Sequence, residues 1–185
     1  MKPAVVIPLR ARSARPRFIA AVIAALVTLG MAGVAAAAGR WCLGLDGLGP
    51  IRAGMTVEEV LRLADFPGLE RRKPNGDCWY LNYHGNGADF DLMIMGGRVV
   101  RIEIKGASTL HTFSGARIGS TEEDLRKLYG GRLDIQPHKY DEQGHTITFQ
   151  AADGLHGLRF ETSAGKVRVM QAGPWEHLHY VEGCG

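Results

Sequence analysis

Across 185 residues there is no CxxC pair, no glycine-rich phosphate loop and no Gly-x-Ser-x-Gly nucleophile elbow. Closely spaced thiolate metal sites, nucleotide cradles of the P-loop type and α/β-hydrolase chemistry therefore have no sequence support. Cysteine is scarce, with only Cys42, Cys78 and Cys184. Three thiols allow one disulfide and leave one over, and three pairings are open. Closing a loop as long as that from Cys78 to Cys184 would restrict the unfolded chain by about 4–5 kcal/mol in the entropic model.

Acidic residues are absent from the first 38 positions, which hold Lys2, Arg10, Arg12, Arg15 and Arg17 ahead of an apolar run, 18–34, and then Ala36-Ala37-Ala38. A basic leader, an apolar stretch and a small-residue cleavage site describe a secretory signal, 1–38. An uncleaved membrane anchor is the other reading of a run this long. No cysteine follows the small residues directly, so a lipid anchor is not expected. With the leader set aside, 17 basic residues face 19 acidic ones and the net charge falls from +3 to −2. The mature chain thus lacks the positive field that recruits nucleic acid. It is expected to be periplasmic or secreted, without a membrane span, and its 147 residues suffice for a buried core.

What is present is a duplication. Arg52, Gly54, Thr56, Glu58, Val60 and Leu63 recur 65 positions later as Arg117, Gly119, Thr121, Glu123, Leu125 and Leu128. Thr56 with Glu59, and Thr121 with Asp124, approximate a capping box and predict helices over 57–64 and 122–129. Pro67-Gly68 and Gly130-Gly131 stop them. Alternating segments separated by turn residues follow each helix, predicting antiparallel strands at 78–84, 89–95, 99–105, 133–136, 146–150, 158–162, 166–172 and 177–181. The expected class is α+β: two fused helix-plus-antiparallel-sheet repeats, 39–107 and 108–185, forming one continuous or paired sheet with helices on one face.

Side chains alternate faces along a strand, so parity separates a core face from an open one. Trp79, Leu81, Tyr83, Phe90, Leu92, Ile94, Val100, Ile102, Ile104, Ile147, Phe149, Leu158, Phe160, Val167 and Val169 are predicted to face the helices. Tyr80, Asn82, His84, Met93, Arg101, Arg159 and Met170 fall on the other face. That mixture of Tyr, Met and Arg suits a protein contact, although an antiparallel sheet commonly leaves one face wet.

A Gly-x-Thr helix start followed by antiparallel strands, twice over and after a signal peptide, resembles the beta-lactamase inhibitor protein fold. Each half is similar to the small lipoproteins of the outer-membrane barrel-assembly machine. The chain more closely resembles uncharacterised secreted bacterial proteins sharing Leu-Gly-Pro-Ile-Arg-x-Gly-Met-Thr, Pro-His-Lys-Tyr and Tyr-Val-Glu-Gly-Cys, here at 48–56, 137–140 and 180–184. The inhibitor resemblance implies a sheet that grips another protein, with hairpin loops entering its cleft. None of that family's contact residues carries over to a matching motif.

Other chemistry is thinner. His177 and His179, on a presumed strand, would share a face and need a third metal ligand such as His138 or Glu182, which nothing fixes. The acidic clusters Glu58-Glu59 and Glu122-Glu123-Asp124 sit in first helical turns, where negative charge complements the helix dipole. Pro137 places His138, Lys139 and Tyr140 at an edge or loop, a possible contact site. The expected function is a non-catalytic protein-binding module with an unidentified protein partner and no cofactor or metal, such as an inhibitor of an envelope or secreted enzyme; the alternatives are a cell-envelope structural or assembly factor, and a small hydrolase or metal-binding protein. The last would need catalytic residues, and none is assigned.

Overall fold

Turn glycines and apolar alternation divide the chain into short, closely paired elements. The structure is a computed structural model and describes residues 41–63, 66–71, 76–85 and 87–184. The leader and the expected helix end at Ala64 lie outside the described residues. In chain order the strands are β1 (Cys42–Leu43), β2 (Gly47–Leu48), β3 (Ile51–Arg52), β4 (Glu70–Arg71), β5 (Cys78–Gly85), β6 (Ala88–Met95), β7 (Arg98–Ile104), β8 (His111–Thr112), β9 (Leu133–Pro137), β10 (His145–Gln150), β11 (His156–Ser163) and β12 (Lys166–Pro174). Helix α1 (Val57–Leu61) precedes β4 and helix α2 (Glu122–Tyr129) precedes β9. No helix among the described residues is long and apolar enough to cross a membrane.

Among the described residues the expected α+β class resolves as mainly β, because the two α-helices there are only five and eight residues long. Eight strands form one antiparallel sheet in the order β4-β5-β6-β7-β12-β11-β10-β9, and four short ones form a second sheet, β3-β2-β1-β8. The order of the large sheet is symmetric about the β7–β12 pair. Both helix starts are capping boxes: Thr56 and Thr121 accept from the amides of Glu59 and Asp124, whose carboxylates accept in return from the threonine amides. Gly54 and Gly119 hold φ of +88° and +87°, a region that side chains disfavour. Their amides donate to Val99 O and Val167 O, each at 2.8 Å.

The main core lies against one face of the large sheet. Val57 and Val60 from α1, and Leu125 and Tyr129 from α2, belong to the same buried cluster as Leu81, Phe90, Leu92, Ile102, Ile147 and Phe160. Tyr129 packs its ring 5.1 Å from Phe149 and 5.5 Å from Phe160, and Phe66 lies edge-on to Tyr83 and Phe90.

Parity assigns most of the core correctly and errs at two bulges. Between β6 and β7 the pairing moves from Met93–Arg101 to Ile94–Val99, leaving Val100 as the extra residue. Between β11 and β12 it moves from Glu161–Val169 to Thr162–Val167, leaving Arg168 over. An extra residue flips the faces of its neighbours. Val99 rather than Val100 is therefore buried, Val169 lies opposite Glu161, and Met170, expected on the open face, is fully buried in the main core.

Helix α2 is tied to the sheet by Glu122, whose Oε1 accepts from Thr162 Oγ1 at 2.7 Å and lies 2.8 Å from His145 Nδ1. Burial pushes this carboxyl up, but the hydrogen bonds from Thr162 and His145 outweigh it and hold the group below its ordinary value of 4.5. A carboxyl depressed in the folded state adds stability that is complete above pH 4.5 and lost as pH falls through the folded value. Glu122→Gln is expected to lower the urea midpoint at pH 7, with the gap to the parent chain closing toward pH 3.

Candidate functional site

The second face of the large sheet carries a polar row set by strand register. Asn82, Asp91, Glu103, Gln171, Arg159 and Thr148 are successive cross-strand partners from β5 to β10. Beside it run Tyr80, Met93 and Arg101 on β5, β6 and β7. Six of the seven residues expected on this face are there, the exception being Met170. The face is not open, however, because the chain's own carboxyl end lies across it.

After β12 the chain makes a 3-10 turn, Trp175–His179, which packs over β7, β11 and β12. The expected strand at 177–181 is absent, since the five-residue 3-10 segment takes over where Pro174 ends β12. At about 120° per residue His177 and His179 do not share a face, which removes the two-histidine arrangement. Among the described residues no group of three or more His, Cys, Asp or Glu is arranged to hold a metal ion. The turn fits because Gly157 of β11 leaves room for it. A Cβ on Gly157 would lie 2.7 Å from the Trp175 ring.

Two arginines grip the covering segment by its main chain. Arg101 Nη1 donates to His177 O at 3.0 Å and to Tyr180 O at 2.8 Å, while its Nε donates to Glu103 Oε1 at 2.9 Å. Arg159 Nη1 donates to Leu178 O at 2.8 Å and its Nη2 lies 3.0 Å from Glu161 Oε1. Both arginines are buried, at 2% and 3% exposure, and Glu103 is buried with them. Burial pulls the Arg159 guanidinium below its ordinary value. Tyr80 donates to Glu103 Oε1 at 3.3 Å, and burial followed by the Glu103 charge pushes its phenol up. The fit is incomplete: Arg159 Nε and Gln171 Oε1, on neighbouring strands, are buried without a partner among the described residues.

The segment ends in a disulfide. Cys184 is bonded to Cys78 on β5, and its amide donates to Tyr80 OH at 3.4 Å. Of the three possible pairings this is the one formed, and Cys42 is the free thiol, 3.6 Å from His111 Nδ1. Pro137 does end an edge strand, and the loop after it acts as a clip. Lys139 Nζ lies 2.7 Å from Glu182 Oε1, and Tyr140 OH donates to the same carboxylate. The Glu182 carboxylate, hydrogen-bonded by Lys139 first and Tyr140 second, is held below its usual range. The Pro-His-Lys-Tyr and Tyr-Val-Glu-Gly-Cys segments are thus partners in space. His138 sits 3.6 Å from Glu161.

The flanks of the face remain polar and wetter. Asn82 donates to Asp91, which also pairs with Lys105, and exposed His84 lies 2.8 Å from Asp89. Nothing in this arrangement sets an acid and a base on either side of a reacting bond. Its capacity is to hold peptide main chain.

Elsewhere, Phe113 stands at 80% exposure on the turn that follows β8, a position that no motif or period in the sequence marks. Gly115 N donates to Thr112 O at 2.8 Å, closing that turn. Beside the phenyl ring is a groove of about 250 Å³ whose walls include Leu43, Leu45, Leu128, Phe149 and Leu158. Comparison of the chain with protein-family models, with curated proteins and with solved structures returns no match.

Proposed function

We propose that the mature chain is a non-catalytic protein-binding module of the periplasm or extracellular space, and that its contact surface is the apolar groove beside Phe113. The observation that carries this reading is the exposed phenyl ring itself. A large aromatic side chain held out on a closed turn, next to an apolar groove, is the arrangement of an interface anchor. The sheet face, the first candidate on sequence grounds, has its centre occupied by the chain's own carboxyl end. The disulfide and the lack of a membrane-crossing helix among the described residues are compatible with the exported location.

The reading extends to the architecture: two copies of one helix-plus-sheet unit, 39–107 and 108–185, with both helices on one face, as in the beta-lactamase inhibitor protein fold. Support comes from the symmetric strand order, from the bridges Thr56–Arg98 and Thr121–Lys166, and from a bulge at the same place in each half. An inhibitor of a secreted hydrolase is the favoured form of the function on that likeness.

Phe113→Asp is expected to leave folding intact, since the side chain is exposed, and to weaken a partner captured from envelope or culture fluid by about 30-fold, the effect of losing an anchor worth about 2 kcal/mol. Leu61→Asp, on the exposed side of α1, is expected to bind that partner like the parent chain. Equal affinity of the Phe113 variant, measured by calorimetry, would refute the assignment. An inhibitory partner is recognised by stoichiometric loss of its activity on titration.

A further inference from the structure

We propose that residues 180–184 are a redox-released cover, and that the row beneath them, Tyr80, Met93 and Arg101, is a binding surface for an extended peptide segment of a partner protein. The covering segment begins over β7, where Arg101 donates to Tyr180 O, and ends on β5, where Cys184 donates to Tyr80 OH and is bonded to Cys78. The strand between is β6, so the segment crosses Met93. That side chain is 1% exposed yet stands outside the main core. The cover's polar contacts to this row are main-chain ones, a carbonyl to a guanidinium and an amide to a phenol. An extended peptide of another protein can supply the same two groups, with Tyr80 and Met93 offering it aromatic and thioether contact.

The cover has little hold of its own. Tyr180 and Val181 are 44% and 43% exposed, and the Glu182 clip is a surface ion pair of the kind worth little. The preceding turn is different, with Leu178 fully buried and its carbonyl on Arg159. The disulfide keeps residues 180–184 at a high effective concentration over the row, and without it they compete with other peptides by mass action. Opening it takes a dithiol reductant: one thiolate attacks a cystine sulfur, the second resolves the mixed disulfide, and the reductant leaves as its own disulfide. Its two electrons and two protons end on Cys78 and Cys184 as thiols. This surface is separate from the Phe113 groove, and neither reading depends on the other.

The test is methionine oxidation by peroxide, mapped by peptide mass spectrometry on the full mature chain. It compares the disulfide-bonded protein with protein reduced by a dithiol and blocked with iodoacetamide, and with Cys184→Ser, which needs no reagent on Cys78. The expected result is that Met93 oxidises about tenfold faster once the bond is gone, while Met170 in the main core stays protected throughout. A synthetic acetyl-Tyr-Val-Glu-Gly-amide peptide, matching residues 180–183, is expected to slow Met93 oxidation in the opened protein saturably, and less so in Tyr80→Phe. Protection of Met93 after opening overturns the cover, as does joint reactivity of Met93 and Met170, which would mean unfolding. Rapid Met93 oxidation that the peptide never slows overturns the binding surface.

Discussion

Arg101→Met is expected to lower the free energy of unfolding by about 3–5 kcal/mol, the cost of breaking a buried ion pair from one side. The guanidinium holds Glu103 through two nitrogens, Nε at 2.9 Å and Nη2 at 2.5 Å, in a setting where both side chains are out of water. Methionine matches the length of the aliphatic stem but supplies no donor. Glu103 would then keep only the Tyr80 hydroxyl, and His177 O would lose its donor beneath the carboxyl-terminal turn. Tyr180 is exposed, so water can take over at its carbonyl. A second change, Glu103→Met, removes the stranded carboxylate. The double variant is expected to regain most of the loss, because replacing both members of a buried pair is commonly near neutral. Urea denaturation of the four chains gives the coupling, and simple additivity would show that the pair does not act as a unit.

Cys184→Ser is expected to cost about 4 kcal/mol and to lower the thermal midpoint by on the order of 10 °C. The effect resides in the unfolded chain. The bond joins residues 106 apart, so its loss frees most of the mature sequence from a closed loop. The folded protein changes far less, because only residues 180–184 are expected to leave the sheet. Cys42→Ser serves as the control, since that thiol is unbridged, and is expected to stay within about 1 kcal/mol of the parent chain. Calorimetry of the three chains checks both values. A Cys184 variant as stable as the parent would mean that the loop is already constrained without the bond.

What could be read from sequence follows the range of each interaction. The capping boxes at Thr56 and Thr121 involve residues three apart, so four letters suffice to announce them. The long strands reveal themselves through alternation, and Pro137 announces its edge position through the donor it lacks. Bulges carry no such mark: nothing local says that Val100 or Arg168 is the extra residue, and strand parity misplaces Met170 for that reason. Strands of two residues, β1 to β4 and β8, are too short to show any period. The covering segment escapes a sequence reading because His177 and His179 alternate with Leu178 and Tyr180 like a strand, while its grip comes from Arg101 and Arg159, which are distant in the chain. One signal was available. Gly157 sits inside a strand, where a glycine marks the close approach of another part of the chain, and here that part is the Trp175 turn.

The carboxyl-terminal segment is fastened on β5 across the polar face of the sheet. Peptide mapping of the unreduced protein by mass spectrometry tests it most directly. The peptide containing Cys78 is expected to be joined to the one containing Cys184, with Cys42 recovered as a free, alkylatable thiol. Recovery of Cys42 in a bridge with either of the others would contradict the account.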